Sequence, residues 1–229
     1  MSQRALVFGG SGAIGATIVA RFEADGYLVT ATSRRGGGTL VACDPLDDPD
    51  SLARVAALGP FDAVVWAQGA NLNDSAVDVD VQAFRKTIDA NVTFVVASMS
   101  ALVREGAVRD GGRMVVLSSI WQTLARANKF SYTVSKAAIG GLVRAASVDL
   151  APRGILVNAV LPSVIDTAMT RAMLSPAQVD FVASQTGFGR LNTTDDVAGL
   201  VISLCGESNT GVTGQSIAVD LGFSHARVL

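Results

Sequence analysis

Histidine is almost absent from this 229-residue chain: His225 is the only one. A zinc site built on imidazoles therefore has no material to draw on. Cysteine is nearly as scarce. Cys43 and Cys205 lie in unrelated segments without C-x-x-C spacing, and they read as small buried hydrophobes in a reducing compartment. Charge is thin, at 17% of residues, with 18 Lys and Arg against 20 Asp and Glu. The net charge of −2 and the lack of a basic stripe exclude a nucleic-acid partner. No apolar run approaches the roughly 18 residues of a membrane span. The charged start, apolar middle and small-residue cleavage site of a signal peptide are missing too, so a cytoplasmic location is expected. With no repeat, low-complexity tract or Pro/Ser-rich linker, residues 1–229 read as one domain.

What is plentiful is small and apolar. Hydrophobic residues make up 49% of the chain, and 23 residues are glycine. That composition suits a sheet covered on both faces by closely packed helices. Apolar strand-like runs recur at Ala5–Phe8, Tyr27–Thr32, Thr39–Cys43, Phe61–Ala67, Arg113–Leu117, Ile155–Val160 and Gln215–Val219. Helical patterns fall between most of them, at Ala16–Phe22, Ser51–Leu58, Val81–Arg104 and the stretch from Phe130 to about Leu150, with a further helix opening at Thr194 as its cap. The long Val81–Arg104 pattern has a possible break near Asn91. The alternation predicts an α/β fold: a Rossmann-like doubly wound parallel sheet of about seven strands. Strands two and three are separated only by Ser33–Gly38, too short for the usual crossover helix, so that helix is expected to be missing. The mixed segment 162–190 reads as a loop region able to close over a substrate.

The first strand runs directly into Gly9-Gly10-Ser11-Gly12-Ala13-Ile14-Gly15 and then a helix. Glycines in that place let backbone approach a pyrophosphate, and the helix N-terminus offers free N–H groups to it. An NAD site usually has an acidic residue about 20 positions further on, for the ribose 2′-hydroxyl. Here Ser33-Arg34-Arg35 stands at the end of strand two. Guanidinium groups suit the 2′-phosphate of NADP, although two solvated surface arginines would look the same.

Tyr132 and Lys136 are four residues apart at the start of a helical stretch, so both side chains lie on one face. A neighbouring ammonium favours a phenolate over a phenol, which makes such a pair a candidate proton donor and acceptor. On its own the spacing also fits an ordinary helical Tyr beside a solvated Lys.

The glycine turn at Gly9–Gly15, Asp44, Asn91, Ser119, Tyr132, Lys136, Asn158, Pro162, Thr167 and Gly214-Gln215 occur in one order over nearly the whole chain, with Ser119 13 residues before Tyr132. In this the sequence resembles the short-chain dehydrogenase/reductase family, in its compact single-domain branch. The resemblance implies that Tyr132 is the general acid in carbonyl reduction and the base in the reverse reaction. It implies that Ser119 hydrogen-bonds the substrate oxygen, that Lys136 lowers the Tyr132 pKa and holds the nicotinamide ribose, and that Asn91 orders a water in a proton relay. For the cofactor it implies Gly9, Ser11, Gly12, Ala13, Ile14 and Gly15 around the diphosphate, Arg34 with Ser33 and Arg35 at the 2′-phosphate, and Asp44 at the adenine. Gln68 and Gly69 follow strand four, and Pro162, Val164 and Thr167 line the nicotinamide pocket, Thr167 through its hydroxyl. Ser118 is the neighbouring alternative to Ser119, and Asn158 reads as structural. Trp121 and Phe130 suit either a substrate pocket or the core. Thr123, Leu124 and the segment Met169–Phe188 would also shape that pocket.

The chain departs from the family pattern at four places. Ala13 replaces a glycine, Trp66-Ala67-Gln68-Gly69 replaces Asn-Asn-Ala-Gly, Ser163 replaces the glycine after Pro162, and Leu221 replaces the glycine after Asp220. The function implied is an NADP(H)-dependent carbonyl reductase or alcohol dehydrogenase, with NAD(H) admitted as cofactor. It would act on a small-molecule carbonyl or alcohol as a homodimer or homotetramer, joined through the helices at 81–104 and 130–150. The alternatives are an NAD-dependent diol or hydroxysteroid-type dehydrogenase, and a non-catalytic NADP sensor.

Overall fold

A computed structural model describes residues 2–225. Seven strands form one all-parallel sheet in the order β3-β2-β1-β4-β5-β6-β7. They are β1 (Arg4–Phe8), β2 (Leu28–Ser33), β3 (Val41–Ala42), β4 (Phe61–Trp66), β5 (Val108–Leu117), β6 (Leu156–Pro162) and β7 (Ser216–Val219). Ala5 to Phe8 and Ala63 to Trp66 are completely buried, which is why these strands read as continuous apolar runs. On one face of the sheet α1 (Ala13–Ala24) and α8 (Thr194–Cys205) contribute Ile18, Phe22, Val197 and Val201 to the core. On the other face α2 (Asp50–Ala56), α4 (Phe94–Arg104) and α5 (Phe130–Asp149) contribute Val55, Leu102, Ile139 and Val143.

Several bounds differ from the sequence expectation. Tyr27 precedes β2 and packs its ring 4.9 Å from that of Phe22. β3 shrinks to two residues, because Gly36, Gly37 and Gly38 all have positive φ and turn the chain before it can pair. β5 extends back to Val108 through polar residues that carry no strand signal. The 81–104 pattern divides into α3 (Val81–Ile88), a π-helical turn (Asp89–Thr93) and α4. As expected, no helix lies between β2 and β3. The 162–190 segment folds into two short helices, α6 (Ala168–Met173) and α7 (Pro176–Ser184).

The register decides where the site lies. Phe8 pairs with Thr32 and Trp66, Trp66 with Val116, and Val116 with Ala159. One step further along, Gly9, Ser33, Ala67, Leu117 and Val160 lie level with one another on the C-terminal side of the sheet, where β1, β2, β4 and β5 end and β6 runs on to Pro162. The strand order reverses between β1 and β4, which opens the crevice where doubly wound sheets hold their ligands. Among the described residues no helix is long and apolar enough to cross a membrane.

The cap of α8 is Thr193, not Thr194. The Thr193 hydroxyl accepts from the Asp196 N–H at 3.1 Å, and the Asp196 carboxylate accepts from the Thr193 N–H at 2.7 Å. Both orphan donors are thus satisfied, and Arg190 at 2.7 Å holds the same carboxylate well below the usual range. Thr193→Ala should cost about 1 kcal/mol of stability, measured by urea denaturation; Thr194→Ala should cost much less.

Candidate active site

The glycine turn is built by close backbone approach. Gly9 has φ +78°, and a Cβ there would stand 2.6 Å from the Gln68 nitrogen. Gly12 donates its N–H to the Gly9 carbonyl at 3.0 Å. A Cβ on Gly15 would meet that same carbonyl oxygen at 2.2 Å. Helix α1 therefore starts hard against the turn. Gly12 is its N-cap and supplies no side-chain acceptor, and the first turn has no acidic residue. The first N–H groups of α1 are left for an external anion.

In front of the turn lies a cleft of about 810 Å3. Of the expected cofactor residues, Gly9, Ser11, Gly12, Ser33, Arg34, Asp44, Gln68 and Gly69 line it. Ala13, Ile14 and Gly15 stand behind it in the first turn of α1, with Ile14 packed toward the core. Arg35 is exposed and outside the lining. Lys86 and Asp89, from α3 and the π turn, also reach the cleft, in addition to the residues expected there. Their spacing of three puts them on one helical face, the only local signal available.

A dinucleotide fits these residues. The Gln68 side-chain nitrogen and oxygen are both buried without a partner, at the cleft wall. Buried amides rarely stay orphaned. Arg34 has no carboxylate within salt-bridge range among the described residues. The glycine cradle leaves space that any side chain would fill.

The second half of the site gathers where β4, β5 and α5 meet. Asn91 sits in the π turn, a local widening that often marks functional positions. Its side chain accepts from the Ala70 N–H at 2.7 Å and donates to the Ala70 carbonyl at 2.9 Å and the Ser135 hydroxyl at 2.9 Å. Both amide hydrogens are therefore spent inside the protein. The side chain thus ties the chain after β4 to α5. Gly69 completes the packing, since a Cβ there would lie 2.9 Å from the Asn91 oxygen and 3.7 Å from the Lys136 Nζ.

Tyr132 and Lys136 share one face of α5. The Lys136 Nζ lies 5.6 Å from the Tyr132 ring centre and donates to the Leu117 carbonyl at 3.0 Å. Burial of this ammonium lowers its pKa to about 8. Tyr132 differs from expectation. Burial pushes its phenol up, and that effect exceeds the opposing hydrogen bond from Ser119. In the ligand-free protein its pKa is raised, not lowered. Ser119 caps a short 3-10 turn (Ile120–Gln122), accepting from the Trp121 N–H at 3.3 Å, and its hydroxyl lies 3.5 Å from the Pro162 carbonyl. Ser118 faces the other way, toward the α5 backbone at Lys136.

Beyond Ser119 is an apolar pocket of about 520 Å3, lined by Trp121, Leu124, Val164, Leu174, Phe181 and Phe223 among others. Trp121 meets Phe223 edge to face at 6.4 Å, so its place is the pocket and not the core. Phe130 belongs to neither; it is exposed. Val164 lines this pocket and not the cleft. Thr167 spends its hydroxyl as the N-cap of α6, accepting from the Thr170 N–H at 3.2 Å, which leaves only its remaining acceptor and donor capacity for a carboxamide. Asn158 pins the β6–β7 connection, donating to the Val212 carbonyl at 2.7 Å and accepting from Gln215 at 3.1 Å.

Comparison with known proteins agrees with this arrangement. Residues 11–224 match the family profile described as enoyl-(acyl carrier protein) reductase. The chain is 29% identical to the 3-oxoacyl-[acyl-carrier-protein] reductase MabA of Mycobacterium tuberculosis, over 98% of its own length and 95% of that protein. It is 27% identical to glucose 1-dehydrogenase of Gluconobacter oxydans, over 97% of this chain and 92% of the relative. The solved structure of ElxO with NADP bound superposes with a TM-score of 0.87 at 25% identity, covering 99% of this chain and all of the other. The chain belongs to the short-chain dehydrogenase/reductase family. It is thus an NAD(P)-dependent oxidoreductase.

The departures from the family pattern have local explanations. Trp66 is completely buried, stacked 5.7 Å from Phe8, and its indole donates to Ser98 at 2.7 Å. Its side chain belongs to the core and not to the cleft lining. Ser163 uses its hydroxyl to accept from the buried Asn192 amide at 3.0 Å. Leu221 has a left-handed backbone, with φ +52°, that a glycine would adopt without strain and that costs a leucine about 1–2 kcal/mol. Ala13 is exposed and meets no obstruction. Gly15 has no such freedom. Gly15→Ala should weaken NADP(H) binding by at least about tenfold, since the turn must shift to admit the methyl, as read by cofactor fluorescence titration. Ala13→Gly should change it little.

Proposed function

We propose that this protein interconverts a carbonyl compound and its alcohol with NADP(H), and that Tyr132 is the general acid and base. The observation that carries the reading is the convergence of Tyr132, Ser119 and the buried Lys136 beside a dinucleotide-sized cleft. When bound, the nicotinamide supplies or accepts the hydride. Ser119 donates a hydrogen bond to the substrate oxygen as it gains negative charge, and Tyr132 passes its proton to that oxygen. The ammonium of Lys136 favours the phenolate that is left. Asn91 contributes by holding Ser135 and the chain after β4 in place.

Arg34, with its free guanidinium at the cleft, is assigned to the 2′-phosphate, and Ser33 stands beside it. Asp44, on the cleft lining, is assigned to the adenine, and Pro162, Val164 and Thr167 to the nicotinamide. The relatives differ in substrate: one is named for an acyl-carrier-protein thioester and one for glucose. The apolar lining around Trp121, Leu124 and Phe181 favours an acyl or other apolar carbonyl over a sugar. Residues 162–190, which include the exposed Met169, Phe181 and Phe188, are read as the segment that covers it. Exposed Val96 on α4 and Val148 on α5 support association of the chain into a homodimer or tetramer through these helices.

Two substitutions test the reading. Tyr132→Phe should lower kcat by roughly 10²- to 10⁴-fold, the range of a general acid, with NADPH affinity near normal; retained turnover overturns the mechanism. Arg34→Ala should weaken NADPH by about 10- to 100-fold, the value of charge-assisted hydrogen bonds, and NADH far less. Equal losses for the two cofactors would remove the 2′-phosphate assignment.

A further inference from the structure

The apolar pocket beyond Ser119 has one charged residue in its lining, Arg126. Trp121, Leu124, Val164 and Phe181 make up much of the remaining wall, and two glutamines reach it. Both glutamines are engaged within α7 and its ends. Gln178 accepts from the Ser175 N–H at 2.9 Å, and Gln185 donates to the Ser184 hydroxyl at 3.3 Å. No acid lines the pocket, and among the described residues no carboxylate lies within salt-bridge range of Arg126. A lone exposed arginine is ordinary on open surface. A guanidinium set by itself on an apolar wall is a different case, because low-dielectric surroundings strengthen its attraction for an anion that enters.

Arg126 also borders a polar cavity of about 360 Å3, with Asp74, Asp78 and Lys129 in its lining. The two acids there are held by other partners. Asp74 accepts from the Ser131 N–H at 3.0 Å and Asp78 from the Ser75 N–H at 3.2 Å. The Lys129 Nζ is likewise turned to the Asn71 side-chain oxygen, at 2.6 Å. Arg126 thus stands where the apolar pocket meets a polar one, with its charge unneutralised. The chain ties it to the reacting end of the site. Ser119 accepts from the Trp121 N–H at 3.3 Å, and Trp121, Leu124, Ala125 and Arg126 continue from there along one loop as pocket wall.

We propose that Arg126 is a specificity-determining residue that holds a carboxylate, so that the substrate class is an oxo acid with an apolar body between its carbonyl and its carboxylate. This rests on the reading of the pocket as the substrate site of the carbonyl reaction, and it narrows that reading to one class. The carbonyl goes to Ser119 and Tyr132, the apolar body lies against Trp121, Leu124 and Phe181, and the carboxylate meets Arg126. The planar guanidinium presents paired N–H donors to the two carboxylate oxygens. With no second cation in the lining, the single charge of a carboxylate is matched better than the nearly double charge of a phosphate monoester.

Binding can be followed without turnover. The chain has two tryptophans; Trp66 is in the core and Trp121 is on the pocket wall. Quenching of tryptophan fluorescence is titrated, with NADP+ present, using medium-chain oxo acids and their methyl esters, which keep the carbonyl and chain but lose the charge. The parent protein should bind at least one acid about five- to tenfold more tightly than its ester. That is the low end for a charge-assisted contact, because water reaches this guanidinium. Arg126→Gln, at an exposed position, should remove that preference while leaving ester affinity within about twofold. Equal affinity for acid and ester in the parent overturns the proposal, as does an equal loss for both in Arg126→Gln, or binding of neither. NADPH-dependent reduction of the same compounds is measured alongside. Reduction of esters with no preference for acids leaves the carbonyl chemistry standing without the role of Arg126. An acid preference lost in Arg126→Gln, with no reduction of any compound, upholds that role and removes the carbonyl chemistry.

Discussion

The site depends on a buried ammonium. Lys136 is pushed from its ordinary value of 10.5 to about 8, which corresponds to roughly 3 kcal/mol disfavouring its charged form. A hydrogen bond from a charged group contributes about 1.5–3 kcal/mol, and Lys136 has one such acceptor, the Leu117 carbonyl. The cation is thus only partly compensated until a negative charge forms beside it. Tyr132 is the group placed to supply that charge. Its own burial works in the opposite sense, keeping the phenol protonated in the resting protein. In the reaction proposed above, a bound ligand would shift this balance and let Tyr132 give up its proton.

The sheet holds this pair in position. Leu117 ends β5, and the ends of β1 and β4 deliver Gly9 and Ala67 to the same side of the sheet. Asn91 then ties the chain after β4 to α5 through Ala70 and Ser135. Asn71 and Asp74, further along the same connection, fix the first turn of α5 through Lys129 and Ser131. A single loop thereby sets the position of Tyr132 relative to the cofactor cleft. The buried Trp66 anchors that loop at its start, which accounts for a large aromatic residue next to a ligand site.

Most of this fold can be read from sequence because its strands are buried on both faces. Each appears as an apolar run, and punctuation by glycine and polar turns is enough to order them. The glycine turn, the short β2–β3 connection and the helix break at Asn91 are equally local. What sequence conceals is every role set by a distant partner. Lys129 reads as a solvated charge before a helix, and only its contact with Asn71 makes it a buried one. Thr167 has the right residue type for a carboxamide, and only the structure shows that its hydroxyl also caps α6. Thr193 and Thr194 are both good caps, and the choice follows from the reach of the Asp196 side chain. Gln68 is marked in sequence only by its place after β4, and its buried amide without a partner appears only in the structure.

The central claim is that the cleft and the Tyr132 pair serve one reaction, hydride transfer to a carbonyl. The most direct measurement supplies NADPH deuterated at its transferable position, with a panel of apolar ketones, aldehydes and 3-oxoacyl thioesters, and analyses the products by mass spectrometry. The account predicts an alcohol carrying deuterium on the former carbonyl carbon for at least one apolar member of the panel. Tight NADPH binding with no deuterium passed to any carbonyl would contradict it, and would make the protein a cofactor-binding sensor instead.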